Sequence, residues 1–262
     1  MRGTDRKEPW TLGKEEVQIH TLRMDWDLFP NPDDGFLYLL QREEMGRYLE
    51  FELRERRREF LWSHLLVRRV LASVLGRSME DLDFGYESNG KPFLSDSDLQ
   101  WNLSHTEGLA ACSISYQRVG IDVEKMNPEK EPARDWKLLA RRFFSEDEKK
   151  YLFSRPSPDQ KRIFYELFTL KEAAAKADGK GWGRSFGRPS PPLAPAGKSS
   201  TGSWEYLREF LEPGGYYLAH AAEKGNQPAR YRFFEWTEAT LRKLLTPRSP
   251  ALTEGVYGHL HG

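Results

Sequence analysis

Residues 101–124 read WNLSHTEGLAACSISYQRVGIDVE. Three short apolar-rich segments, WNLSH, LAACSIS and VGIDVE, are separated by Thr106-Glu107-Gly108 and by Tyr116-Gln117-Arg118. Both breaks have turn composition, so the stretch predicts three strands in a meander. Side chains alternate along a strand. Ile121 and Val123 therefore share one face, and Asp122 and Glu124 share the other. Two neighbouring carboxylates describe a solvated strand face more readily than a site for a hard cation, though they suit either.

Outward from this stretch, helices and strands alternate in blocks. Upstream, EVQIHTLRM sets Val17, Ile19 and Thr21 against polar neighbours, the pattern of a half-buried strand. From about 38 to 75 the period becomes helical, with Phe60, His64, Val67, Leu71 and Val74 at spacings of three and four and Gly76 as the stop. The segment is rich in arginine, including Arg54, Arg56, Arg57 and Arg58. Asn89-Gly90 marks a turn within DFGYESNGKPFL. Downstream, Ser145 and Glu148 form a capping box for one helix. Another helix begins near Ser157, with Pro158 in its first turn, and ends at Gly179. Residues 183–203 are rich in Gly, Pro and Ser and predict a flexible loop. WEYLREF, YYLAHAA and RYRFFEW follow as strands, then EATLRKLL as a short helix.

Strand, helices, strands, then the same order again, predict an α+β fold rather than a doubly wound parallel sheet. The expected organisation is a lead at 1–14, an N-terminal lobe at 15–117, a C-terminal lobe at 118–240 and a tail at 241–262. Each lobe would pack helices on a small antiparallel sheet.

Composition narrows the classes. The 262 residues carry 40 Lys and Arg against 40 Asp and Glu, so no global field favours nucleic acid or a membrane surface. No apolar run approaches the roughly 20 residues of a membrane span, and MRGTDRKEPW has no signal-peptide core. The cytoplasm is the expected location. The single cysteine, Cys112, sits in an apolar run, where it serves as a small buried hydrophobe and fits a reducing compartment.

Three further features have two readings each. On the helix near 158–178, Ile163, Leu167, Leu170, Ala174 and Ala177 form an apolar stripe, with Tyr165, Phe168, Glu172 and Lys176 opposite. Glu172 and Lys176 are either a surface i, i+4 pair or two groups lining a cleft. Ser104-His105 is either a turn or a phosphate anchor. Gly90-Lys91-Pro92 is a turn that also offers a point charge.

In order, GKPFL, WNLSHT, VGIDVEKM, FFSEDE and FTLKEAAAKADGKG are very similar to the 4′-phosphopantetheinyl transferase superfamily. Length matches its two-lobed monomeric type, which activates peptide and polyketide synthases. The resemblance implies two pseudo-twofold-related lobes with the active site in the cleft between them. It implies transfer of the phosphopantetheine arm of coenzyme A to a serine of an acyl or peptidyl carrier protein, with release of 3′,5′-ADP (holo-acyl-carrier-protein synthase activity). Asp122, Glu124 and Glu172 match the Mg²⁺ ligands, and Glu172 and Lys176 the catalytic pair. Lys176, Ser104 and His105 match phosphate contacts, and Lys91 and Pro92 the turn near adenine. Arg47 and Arg58 stand for the basic segment that takes the 3′-phosphate. Two departures are a longer, proline-rich 183–203 and Phe168 where the family often has tryptophan. A binder of coenzyme A or carrier without transfer, and a metal-dependent nucleotide pyrophosphatase, would draw on the same residue types.

Overall fold

Packing explains why the arginine-rich segment is helical. The computed structural model describes residues 10–25, 34–88, 90–126, 135–179 and 197–245. Helix α2, Arg54–Leu75, carries Phe60, Val67 and Leu71 on its predicted stripe, but Leu61, Trp62, Leu65 and Leu66 are buried as well. Each such side chain contributes about 1.5–3 kcal/mol on burial, so packing outweighs an arginine-rich first turn. Gly76 closes the helix in the left-handed conformation at φ 64° and donates its N–H to the Ala72 carbonyl. The single helical stretch predicted from 38 to 75 is in fact three pieces: a 3-10 turn at Asp34–Leu39, α1 at Arg42–Glu50, and α2. Extended backbone at Phe51 and Leu53 makes the break, and Arg57 Nε bonds the Phe51 carbonyl across it at 2.7 Å.

The strands are β1 (Glu16–Arg23), β2 (Phe84–Tyr86), β3 (Pro92–Leu94), β4 (Gln100–Thr106), β5 (Leu109–Ser115), β6 (Val119–Lys125), β7 (Gly197–Thr201), β8 (Trp204–Leu211), β9 (Tyr216–Glu223) and β10 (Arg230–Thr237). They form one sheet in the order β10-β1-β5-β4, a β2-β3 hairpin, and a second sheet in the order β6-β9-β8-β7. The remaining helices are α3 (Trp136–Phe143), α4 (Glu146–Phe153), α5 (Ser157–Asp178) and α6 (Glu238–Arg242). The chain is thus a mixed α+β protein, as the block order predicted.

The expected meander ends after two strands. β4 and β5 form the hairpin, but β6 leaves to pair antiparallel with β9. Its apolar face takes it there: Val119, Ile121 and Val123 pack with Val17, Ile19 and Leu109 from the first sheet and with Leu207 and Leu218 from the second. The two sheets therefore pack face to face, with α2 outside the first and α5 outside the second. At one side they also meet edge to edge, β4 beside β6.

Three other expectations change. β1 is buried on both faces because it is central in its sheet, with the second sheet against Val17 and Ile19 and the α2 core against Leu22. Its polar residues are satisfied internally: His20 Nδ1 accepts from Trp236 Nε1 at 3.2 Å, and its Nε2 bonds Gln18 Oε1 at 3.2 Å. Within 183–203, residues 197–201 form the edge strand β7 against β8, because Gly202 at φ 54° permits a tight return; residues 183–196 lie outside those described. β10, late in sequence, pairs in parallel with β1 in the sheet built by the first half. α6 follows it, and Glu238 anchors to Arg58 of α2 at 2.5 Å. Asn89 of the predicted turn lies outside the described residues; its neighbour Gly90 has φ 84° and donates to the Glu87 carbonyl. The HLHG tail also lies outside them. Among the described residues no helix is long and apolar enough to cross a membrane.

Candidate active site

α5 sets the geometry. It starts at Ser157 with proline in its first turn and stops at Gly179, φ 68°. It lies on the second sheet through Leu170, Ala173 and Ala177, which meet Tyr206, Ala219 and Ala221. Small residues on both surfaces let helix and sheet approach closely. Gly120 of β6 is the closest point: a Cβ there would stand 2.2 Å from the Ala173 carbonyl oxygen and 2.3 Å from Ala177 N. At the helix C-terminus, Arg118 donates to the Asp178 carbonyl at 2.6 Å, a cation where the unpaired carbonyls want one.

This contact brings Lys176 over β6. Its Nζ donates to Asp122 Oδ1 at 2.7 Å and to Ser104 Oγ at 3.0 Å, while Ser104 Oγ donates to the same Asp122 oxygen at 2.8 Å. Strand β6, strand β4 and helix α5 thus converge on one carboxylate. Asp122 is buried, and its second oxygen, Oδ2, has no hydrogen-bond partner. Glu172 is buried on α5, one turn before Lys176 on the same face. Glu124 is half-buried two residues beyond Asp122 on the same strand face. Among the described residues, no three metal-capable side chains are already gathered as a cation cage. Lys176 instead supplies the positive charge beside Asp122.

His105 is the next residue on β4 and faces the other way. Burial, then the charges of His64, Lys176 and Arg56, lower its pKa to about 4, so it is neutral at pH 7. Lys91 follows Gly90 and precedes Pro92 of β3; its Nζ reaches the Val119 carbonyl at 3.5 Å. Burial, with Arg118 beside it, lowers the Lys91 pKa. Five of the residues singled out in sequence, Lys91, Ser104, His105, Asp122 and Lys176, therefore lie along the seam where β4 and α5 meet β6.

The two chosen arginines part company. Arg47 is exposed on α1, with its guanidinium over the Tyr86 ring at 5.8 Å. Arg58 is only 8% exposed and is engaged by Glu238. Arg56, two residues earlier, has half of its side chain in solvent and lies among the charges acting on His105. Sequence reading passed over Arg56 because the four neighbouring arginines are indistinguishable until the helix is placed. Phe168, in the position where tryptophan was expected, is buried and stacks on Phe164 at 5.2 Å in a cluster with Trp136 and Phe144.

Behind the site, Lys171 Nζ pairs with Glu148 at 2.9 Å, both nearly inaccessible. Glu148 also completes the predicted capping box by accepting from Ser145 N at 2.7 Å. The FSEDE and LKE segments are thereby joined through one carboxylate.

Comparison with known proteins gives the same assignment independently. The family model described as "4'-phosphopantetheinyl transferase superfamily" matches residues 118–214, and the model "4'-phosphopantetheinyl transferase, N-terminal" matches 25–115. The chain is 33% identical over 215 residues to the 4'-phosphopantetheinyl transferase HetI of Nostoc sp., covering 79% of this chain and 88% of that protein. It is 29% identical over 166 residues to the 4'-phosphopantetheinyl transferase Sfp of Bacillus subtilis, covering 63% and 71%. Over 121 residues it is 39% identical to the 4'-phosphopantetheinyl transferase gsp of Aneurinibacillus migulanus, covering 46% and 48%. Two family regions in tandem, each bringing residues to one seam, place this chain in the 4′-phosphopantetheinyl transferase superfamily.

Proposed function

We propose that the protein transfers the 4′-phosphopantetheine arm of coenzyme A to the serine hydroxyl of an acyl or peptidyl carrier protein, releasing 3′,5′-ADP. The observation that carries this reading is the Lys176–Asp122–Ser104 triangle, contributed by both halves of the chain. The active site is the cleft between two pseudo-twofold-related lobes. One chain supplies both sides of it, and the enzyme works as a monomer.

The donor set suits Mg²⁺. It is all oxygen, and the buried Asp122 Oδ2 is an acceptor left open. Mg²⁺ commonly keeps waters and takes substrate phosphate oxygens as ligands, so a ready-made protein cage is not required. Asp122, Glu124 and Glu172 would hold it. Bound there, it would neutralise the pyrophosphate and orient it for attack.

The protein's own groups divide the remaining work. Lys176 moves from Asp122 to the phosphates and stabilises charge on the departing 3′,5′-ADP. Glu172 takes the proton of the carrier serine, directly or through a water, a contribution of about 10²–10⁴-fold. His105, neutral on its site, offers an N–H to phosphate. Lys91, with Pro92 shaping its turn, contacts the nucleoside end. Arg47 and Arg56, exposed on the arginine-rich helices, take the 3′-phosphate, whereas Arg58 holds α6.

The test is mass spectrometry of an apo carrier protein incubated with the protein, coenzyme A and Mg²⁺. The carrier gains one phosphopantetheine arm, and the gain disappears with a chelator. Glu172→Gln keeps the fold and loses transfer; wild-type turnover in that variant rejects the assignment. Release of 3′,5′-ADP with no carrier present would mark a pyrophosphatase instead.

A further inference from the structure

Strand β6 carries the carboxylates, yet it pairs with a strand on one side only. β9 takes that side. The other edge is buried against β4, and no backbone ladder joins the two. A buried peptide N–H left unpaired is costly. Three side chains of the N-terminal half serve this edge instead. Ile121 N donates to Asn102 Oδ1 at 2.9 Å, Val123 N donates to Ser104 Oγ at 3.4 Å, and Lys91 Nζ donates to the Val119 carbonyl at 3.5 Å.

The spacing has a consequence for register. Asn102 and Ser104 are two apart on β4, as Ile121 and Val123 are on β6. A slip of one residue along the seam would break both bonds and reverse the face on which Asp122 stands. The three links are not equivalent. Ser104 Oγ is shared, donating to Asp122 and accepting from Lys176. Lys91 reaches only the limit of a hydrogen bond. Asn102 gives the one short bond to this edge, it is buried at 7% exposure, and it holds Ile121, the residue directly before Asp122.

We infer that Asn102 is a positioning residue: its side-chain carbonyl stands in for a missing strand and fixes where β6 presents Asp122. The inference rests on the phosphopantetheinyl transfer reading for its effect on catalysis. When phosphates draw Ser104 and Lys176 away from Asp122, Asn102 is the contact that remains. Asparagine is depleted in strands, and here its amide performs a backbone's task.

Two variants separate this role from simple packing. Asn102→Leu keeps the bulk and removes the acceptor; Asn102→Asp keeps an acceptor in the same place. Amide hydrogen exchange is measured on the metal-free proteins, and Mg²⁺ half-saturation of carrier modification is measured beside it. In Asn102→Leu, the Ile121 amide exchanges at least tenfold faster and the Mg²⁺ half-saturation rises by about tenfold, the scale of losing a group that orients a metal ligand. The KM for the carrier does not change. Asn102→Asp restores slow exchange and most of the Mg²⁺ response. Should Asn102→Leu fail to fold, Asn102→Ala is read by the same two measurements. A folded Leu or Ala variant with unchanged Ile121 exchange and unchanged Mg²⁺ requirement overturns the inference, as does an Asp variant no better than Leu. If the wild-type enzyme needs no Mg²⁺, the metal reading fails, and the exchange data still decide the role of Asn102.

Discussion

Gly120→Ala should show that the close approach of α5 to β6 sets both the stability of this protein and its chemistry. An alanine Cβ would sit 2.2 Å from the Ala173 carbonyl oxygen, 2.3 Å from Ala177 N and 2.9 Å from Ala177 Cα. All three are backbone atoms, so no side chain can swing aside. Ordinary contact begins near 3.4 Å, and α5 must therefore retreat from β6 by roughly 1 Å. Overpacking of this kind costs about 1–3 kcal/mol, which for a chain of this size lowers the melting temperature by about 3–10 °C. The same retreat stretches the 2.7 Å bond from Lys176 to Asp122 beyond hydrogen-bond range. A misplacement of about 1 Å costs on the order of 10²-fold in rate. The assay is initial-rate carrier modification by mass spectrometry, run well below the melting temperature. Gly46→Ala is the control. Gly46 is exposed on α1 with nothing within 4 Å of its would-be Cβ, so it gains about 0.5–1 kcal/mol and keeps full activity. Wild-type rate and melting temperature in Gly120→Ala would refute the claim that this approach sets the site.

Three other outcomes follow from buried titratable groups and ion pairs. His220 is fully buried with neither ring nitrogen hydrogen-bonded, and burial lowers its pKa to about 3; between its unfolded value near 6.5 and about pH 3 the unfolded chain binds the extra proton, so stability falls as pH drops through that window, by about 1.4 kcal/mol per unit once below 6.5. His220→Leu should raise stability at pH 7 by about 1–3 kcal/mol and flatten that acid slope in urea titrations, a change in the opposite direction counting against an unpaired imidazole. Lys171→Met leaves Glu148 buried beside a lost partner and should cost about 3–5 kcal/mol, with Glu148→Gln in the same chain recovering much of it by urea unfolding. Arg56→Gln should weaken coenzyme A binding by calorimetry and also lower the melting temperature, because Arg56 pairs with the buried Glu59 at 2.8 Å, whereas Arg58→Met should lower the melting temperature through loss of the Glu238 pair and leave coenzyme A binding unchanged.

What the sequence made legible was local. Helix α5 was bounded correctly because its apolar stripe, its early proline and its terminal glycine are all written in neighbouring residues. The Ser145–Glu148 capping box is legible for the same reason. Strand partners are not local. LAACSIS turns back onto WNLSH through a two-residue turn, but the choice of β6 between β5 and β9 rests on which sheet buries Ile121 and Val123, nearly a hundred residues from Leu218. RYRFFEW had the composition of a strand and no mark of its partner, β1. Alternation in EVQIHTLR suggested one wet face. Gln18 and His20 instead bond each other, and β10 covers them.

The candidate site divides along the same line. Asp122, Ser104 and Lys176 were each ambiguous alone, and the structure brings them together, three elements placing them within hydrogen-bond reach. The pairing of Arg58 was not legible because its partner, Glu238, is 180 residues away. Asn102 was overlooked although asparagine in an otherwise apolar strand was a usable signal.

The position of Glu172 follows from how α5 is held. Consecutive helix residues point about 100° apart, so when Lys171 turns toward Glu148 of α4, Glu172 must turn toward β6. Arg118 holds the helix at its last carbonyls, and Gly120 admits it to backbone contact in between. Three restraints on one rigid rod leave it little freedom to slide or roll. In the proposed reaction, Lys176 and Glu172 would then meet the substrate from backbone positions already set, and most of the cost of that order would fall on residues that never touch the reacting atoms.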